Sequence, residues 1–228
     1  IDNMEWNWRN VPDGPVRFSI SPHLNHRHTD EHALTEYLWF EQHLKGAPFT
    51  MPRTPQAALE LVSTTGVPRF TVTTDAALPV QRVDIYYSVD PHALTRFWRD
   101  SGAVKTGSQW QAECPVMSVD QPLFAFANVI YETPAAYRTG PQLPGQGSSA
   151  TFAISSRVLS AGPAQLKAAA VKATSQPQRL IGAAPLGQPL DAAVIVEQLG
   201  LDAAHQLAAV VEVDHRGAVD AVVAGAVG

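Results

Sequence analysis

From just past residue 56 to residue 158 the hydrophobic pattern repeats every two residues, and no helical pattern interrupts it. This stretch constrains the fold more than any other. Residues 69–74, 82–89, 109–116, 123–131 and 151–158 are β-branched or aromatic runs, separated by Pro, Gly, Asp and Ser. Alternation of this kind places one set of side chains on each face of a strand. Strand, turn and strand again, with nothing helical between, is the pattern of an antiparallel β-sandwich. Residues 91–100 read as a helical turn or long loop. The Pro-, Gly- and Ser-rich residues 133–150 read as a loop.

The flanks read differently. Residues 15–21 form a short alternating run entered from the turn Pro12-Asp13-Gly14. Thr29 and Asp30 are good N-cap types, so a helix is expected through residues 31–44, ending at Gly46 with Pro48 beyond. On it Leu34, Tyr37, Leu38 and Glu41 share one side, and His32, Glu36 and His43 lie at helical spacings on another. Pro48, Pro52 and Pro55 mark a linker. A short helix is expected at residues 163–170. From residue 186 the chain is dominated by Ala and Val, either as a helix near residues 192–199 or as a low-complexity tail. The expected fold class is α+β: a small α/β unit over residues 1–46, a β-sandwich over 47–158, and a connecting helix with an Ala/Val-rich tail over 159–228.

Charge and composition exclude some functions. With 16 Lys and Arg against 21 Asp and Glu, the net charge is −5, and no basic cluster suits nucleic acid or an anionic membrane. No run reaches the length of a membrane span, and no signal segment is recognisable. The chain opens at Ile1 with Trp6 and Trp8 close behind, as a chain cut from a longer one would. Cys114 is the single cysteine, beside Pro115 in an apolar run, and is expected to be an inert buried thiol. Trp98 and Trp110 are expected to pack in or on the sandwich, and of Tyr86 and Tyr87, which alternate across a strand, one should be core. His205 and His215, isolated in the tail, read as solvated.

The concentrated chemistry is the run His23-Leu24-Asn25-His26-Arg27-His28-Thr29-Asp30-Glu31-His32, which holds four of the eight histidines in ten residues. Near neutral pH, imidazole transfers protons and binds zinc-like metals. His28 and His32 are four apart with Asp30 between them, and His32 and Glu36 can share a helix face. His23, His26, His28 and His32 are therefore candidate ligands for Zn2+ or another divalent transition metal, and His26, Asp30 and Glu36 are candidate catalytic groups. A solvated or capping role for these histidines stands beside that reading.

The segment Ser21-Pro22-His23-Leu24-Asn25-His26-Arg27-His28 resembles the part of bacterial α/β-hydrolases, of the acetylxylan-esterase and dienelactone-hydrolase type, that bears the catalytic histidine. Ile85-Tyr86-Tyr87-Ser88-Val89-Asp90, Phe97-Trp98-Arg99, Leu123-Phe124-Ala125-Phe126-Ala127-Asn128-Val129 and Phe152-Ala153-Ile154-Ser155-Ser156-Arg157 resemble the β-sandwich appended in the same family. The resemblance covers about residues 1–185. It implies that His26 is the general base and that the protein is secreted or periplasmic. That family also needs a nucleophile, commonly on a G-x-S-x-G turn, and this chain has no such motif. Two readings follow. In one, a histidine-held metal activates water for hydrolysis of a small activated ester, carboxylic or phosphoric. In the other, the chain is a non-catalytic docking module that needs a nucleophile-bearing half. There, Trp6, Trp8, Trp39 and Phe40 on an exposed edge and face would drive homo-oligomerisation.

Overall fold

The computed structural model describes residues 16–22, 29–93, 96–138, 150–174, 209–213 and 219–223. It is mostly antiparallel sheet with few helices, and it divides into two compact units, residues 1–180 and 181–228. In the first unit the first helix among the described residues is α1, Asp30–Lys45. Its ends follow local chemistry. The Thr29 hydroxyl accepts the His32 N–H at 3.2 Å, Asp30 and Glu31 sit in the first turn, and Lys45 sits in the last. These charges complement the helix dipole. Gly46, at φ 67°, turns the chain out of the helix through the left-handed region that only glycine enters readily.

Among the described residues of this unit nine strands follow: β1 Gln56–Glu60, β2 Arg69–Thr73, β3 Val80–Ser88, β4 Arg99–Asp100, β5 Val104–Thr106, β6 Gln109–Glu113, β7 Leu123–Glu132, β8 Thr151–Ser155 and β9 Leu159–Ala161. One sheet has the order β1-β2-β6-β5. The other has β4-β3-β7-β8, with β9 also pairing β7. Every strand pairing in both sheets is antiparallel. The inward side chains of both sheets form one core: Phe70, Val72 and Ala112 from the first, and Val83, Ile85, Tyr87, Ala127, Val129 and Phe152 among those of the second. Alternation along the strands makes this possible, since residues i and i+2 share a face.

The second sheet is also covered on its outer face. Tyr86 and Phe126 point away from the main core and pack with Ile20, Trp98 and Val158 in a second cluster. The Trp98 and Phe126 rings meet edge to face at 4.8 Å. Both Tyr86 and Tyr87 are therefore buried, one on each face, where one core tyrosine was expected.

Two further expectations change. Residues 151–158 are not one strand. After Ser155 the Ser156 hydroxyl accepts the Ala127 N–H at 2.9 Å while the Ser156 N–H donates to the Ala127 carbonyl, so a side chain interrupts the ladder and pairing resumes as β9. Residues 16–20 do not form a ladder strand either. Ser155 N–H donates to the Phe18 carbonyl, and a serine hydroxyl takes the place of the next backbone partner.

The expected α/β unit is not seen among the described residues. α1 packs on the antiparallel second sheet, burying Ala33, Thr35, Leu38 and Glu41, and no parallel ladder joins named strands among the described residues. A short helix α2, Pro163–Ala168, follows β9 near its expected place and buries Leu166. In the second unit, β10 Ala209–Val213 pairs antiparallel with β11 Val219–Val223. The helix expected at residues 192–199, with His205 and His215, lies outside the described residues.

Candidate functional site

Of the four clustered histidines, His23, His26 and His28 lie outside the described residues, and His32 stands in the first turn of α1. Its ring joins two residues from before the histidine loop. Nε2 faces the Ser19 carbonyl, and Nδ1 is 2.5 Å from Ser21 Oγ. A carbonyl oxygen only accepts, so Nε2 carries a proton towards Ser19, and Ser21 Oγ lies beside both ring nitrogens, 2.5 Å from Nδ1 and 3.3 Å from Nε2. This contact spans eleven residues in sequence.

The other candidates go elsewhere. Asp30 occupies the first turn of α1, and Glu36 is exposed on the helix. Among the described residues no group of three or more His, Cys, Asp or Glu could hold a metal ion. The expected zinc-type, metal-binding centre is therefore corrected. Among its described ring partners His32 has the Ser21 hydroxyl and the Ser19 carbonyl. Three of the centre's four expected ligands, His23, His26 and His28, lie outside the described residues.

The structure instead assembles a polar seat that fastens residues 16–45 to the second sheet. At its centre are Asn128 of β7 and Ser155 of β8, both buried. Asn128 Nδ2 donates to the Ile20 carbonyl at 2.8 Å, and the Ser155 hydroxyl donates to Asn128 Oδ1 at 2.6 Å. That hydroxyl also accepts the Ile20 N–H at 2.8 Å. Every group in this small network has a partner, and the low dielectric strengthens each bond. Ile20 meanwhile inserts its side chain beside Trp98 and Phe126.

A second fastening lies along the edge of β8. The Thr35 hydroxyl is 2.8 Å from the Glu31 carbonyl and 3.0 Å from the Ala153 carbonyl, and it accepts the Ala153 N–H at 3.3 Å. Glu31 Oε1 accepts from the Thr151 hydroxyl at 3.0 Å and faces Arg82 at 3.4 Å, while Arg82 also pairs with Asp84. Burial pushes the Asp84 carboxyl up from its ordinary value, and Arg82 pulls against that shift. A strand edge that would otherwise offer unpaired N–H and C=O groups is thus covered by a helix. The expected exposed face is correspondingly smaller. Trp39 is half-buried, its ring tilted against His43 at 4.5 Å, Phe40 is exposed, and Trp6 and Trp8 lie outside the described residues.

Away from this seat, an open groove runs between β1 and β9, lined by Leu59, Leu61 and Leu159 with Arg157 and Gln165. It carries none of the candidate residues. Sequence reading missed Ser21 as a partner of His32, and Asn128 and Ser155 as a buried pair. Only the polar Asn inside Phe-Ala-Phe-Ala-Asn-Val-Ile could have signalled the last. No family model, no curated protein and no solved structure matches this chain.

Proposed function

We propose that this chain is a non-catalytic docking module of ester-hydrolase type. In this reading a β-sandwich carries the segment that leads into α1 and α1 itself to a nucleophile-bearing half supplied by another polypeptide. The observation that supports it is the seat itself. Asn128 and Ser155 are committed to the backbone of residues 18–20 and Thr35 to that of β8, so the second sheet holds Ile20 and α1, on either side of the histidine run, in fixed positions. Preorganisation of this kind is what a loop needs in order to complete a site made elsewhere. On the family resemblance, His26 is the base that the module presents, and a small ester is the substrate of the completed site.

Complementation tests the reading. An esterase half of the resembled type, ending before its last strand, is mixed with the full chain and assayed on p-nitrophenyl acetate. The expected result is activity that saturates with added chain and is lost with His26→Ala. No saturable gain, or full gain with His26→Ala, overturns the proposal.

A further inference from the structure

Among the described residues the two sheets end at β5, at β4, at β8 with β9, and at β1. β4 has two residues and β9 three, α1 covers β8, and the three-residue β5 carries Lys105. Short, charged or covered strands resist edge-to-edge pairing with another chain. β1 has none of these devices: Gln-Ala-Ala-Leu-Glu pairs with β2 without a bulge and holds neither Lys nor Pro. We propose that β1 is a homodimer interface, pairing antiparallel with β1 of a second copy of this chain. Three observations carry this inference, and none involves the docking reading.

The first is the direction of the backbone groups. The Cys114 N–H donates to the Pro68 carbonyl at 2.7 Å, in the register that sets Arg69 opposite Glu113. Pro68, Phe70 and Val72 thus turn their backbone polar groups to β6, and Arg69, Thr71 and Thr73 turn theirs to β1. There they meet Glu60, Ala58 and Gln56. The N–H and C=O groups of Ala57 and Leu59 therefore point out of the sheet edge, and no other described backbone group bonds to them.

The second is self-complementarity. A two-fold interface uses the same patch twice, residue i against j and j against i. One antiparallel register pairs all five residues of both strands, with Ala58 facing Ala58 on the axis. It sets Ala57 opposite Leu59 of the second copy, so the outward N–H and C=O groups of each strand satisfy those of the other. A large side chain then lies beside a small one. The same register sets Gln56 opposite Glu60, where the amide donates to the carboxylate and no like charges meet. A register centred on Glu60 would instead bring two carboxylates face to face.

The third is the surface around the edge. Gln56, Ala58 and Glu60 are exposed in the single chain. On the inward side Leu59 and Leu61 are half-buried and line the open groove with Leu159. Pairing covers the apolar rim of that groove and leaves the polar outer row of the first sheet in water.

Sedimentation velocity of the full chain, from micromolar to submillimolar concentration, tests the proposal. A monomer–dimer equilibrium is expected. Ala58→Lys sets two ammonium groups against each other on the axis and should weaken association about tenfold or more. Gln56→Lys puts an ammonium opposite Glu60 at two places and should strengthen association about tenfold, a gain lost in high salt. Ala58→Cys should cross-link the dimer on oxidation. Residues facing each other in a non-hydrogen-bonded pair have Cα atoms about 4.5 Å apart, within disulfide reach, and Cys114 is buried and does not compete. A monomer at every concentration overturns the proposal. So does a dimer that Ala58→Lys and Gln56→Lys leave unchanged, the result expected if Phe40 and its neighbours on α1 drove association. Should Ala58→Lys fail to fold, Gln56→Lys and Ala58→Cys decide.

Discussion

At the scale of single residues, burial decides what chemistry is open. Cys114 is fully buried in the main core, and burial, with the Glu113 charge adding to it, pushes its thiol up to about 12. The thiolate is the reactive form, so iodoacetamide at pH 8 should leave Cys114 unmodified in the native chain and alkylate it in denaturant. Rapid native labelling would contradict the placement. The sign of the pH effect follows. The folded thiol stays protonated while an unfolded one ionises above about 8.5, so this group makes stability fall as pH rises from there towards about 12. That Cys114 is inert was legible, because a single cysteine inside an apolar run has little else to be. The Ser21–His32 contact was not legible. Its partners are eleven residues apart in sequence, and no local pattern encodes that they meet.

At the scale of elements, α1 was readable nearly to its ends, because Thr29 and Gly46 satisfy its terminal groups locally. β1 was not. Gln-Ala-Ala-Leu-Glu has no β-branched or aromatic residue, and only pairing with β2, Ala57 against Val72 and Leu59 against Phe70, makes it a strand. The break between β8 and β9 was hidden for a similar reason, since Ser156 ends the ladder through a side-chain bond. What α1 does to β8 was equally invisible, because it rests on one hydroxyl aimed at the Ala153 backbone. Thr35→Val keeps the shape and removes that hydroxyl, leaving two buried edge groups without it. Chemical denaturation should show a loss of about 1–3 kcal/mol, and a loss near zero would mean that Thr35 does not seat the helix.

At the scale of the molecule, the period-two pattern announced two facing antiparallel sheets, and the shared core joins them. What the pattern could not announce is that the second sheet is covered on both faces. Its outer cluster of Tyr86, Trp98, Phe126 and Val158 is completed by Ile20, from a segment more than sixty residues upstream of its partners. This arrangement makes residues 16–45 part of the sandwich's own packing rather than a separate piece, and the docking reading depends on it. Native-state hydrogen exchange tests it most directly. If the seat holds, the Ile20, Ser155 and mid-α1 amides exchange only with the global opening that also exposes the centre of β7. Exchange of residues 16–45 many orders of magnitude faster than β7 would show an independent, loosely attached segment and contradict the account.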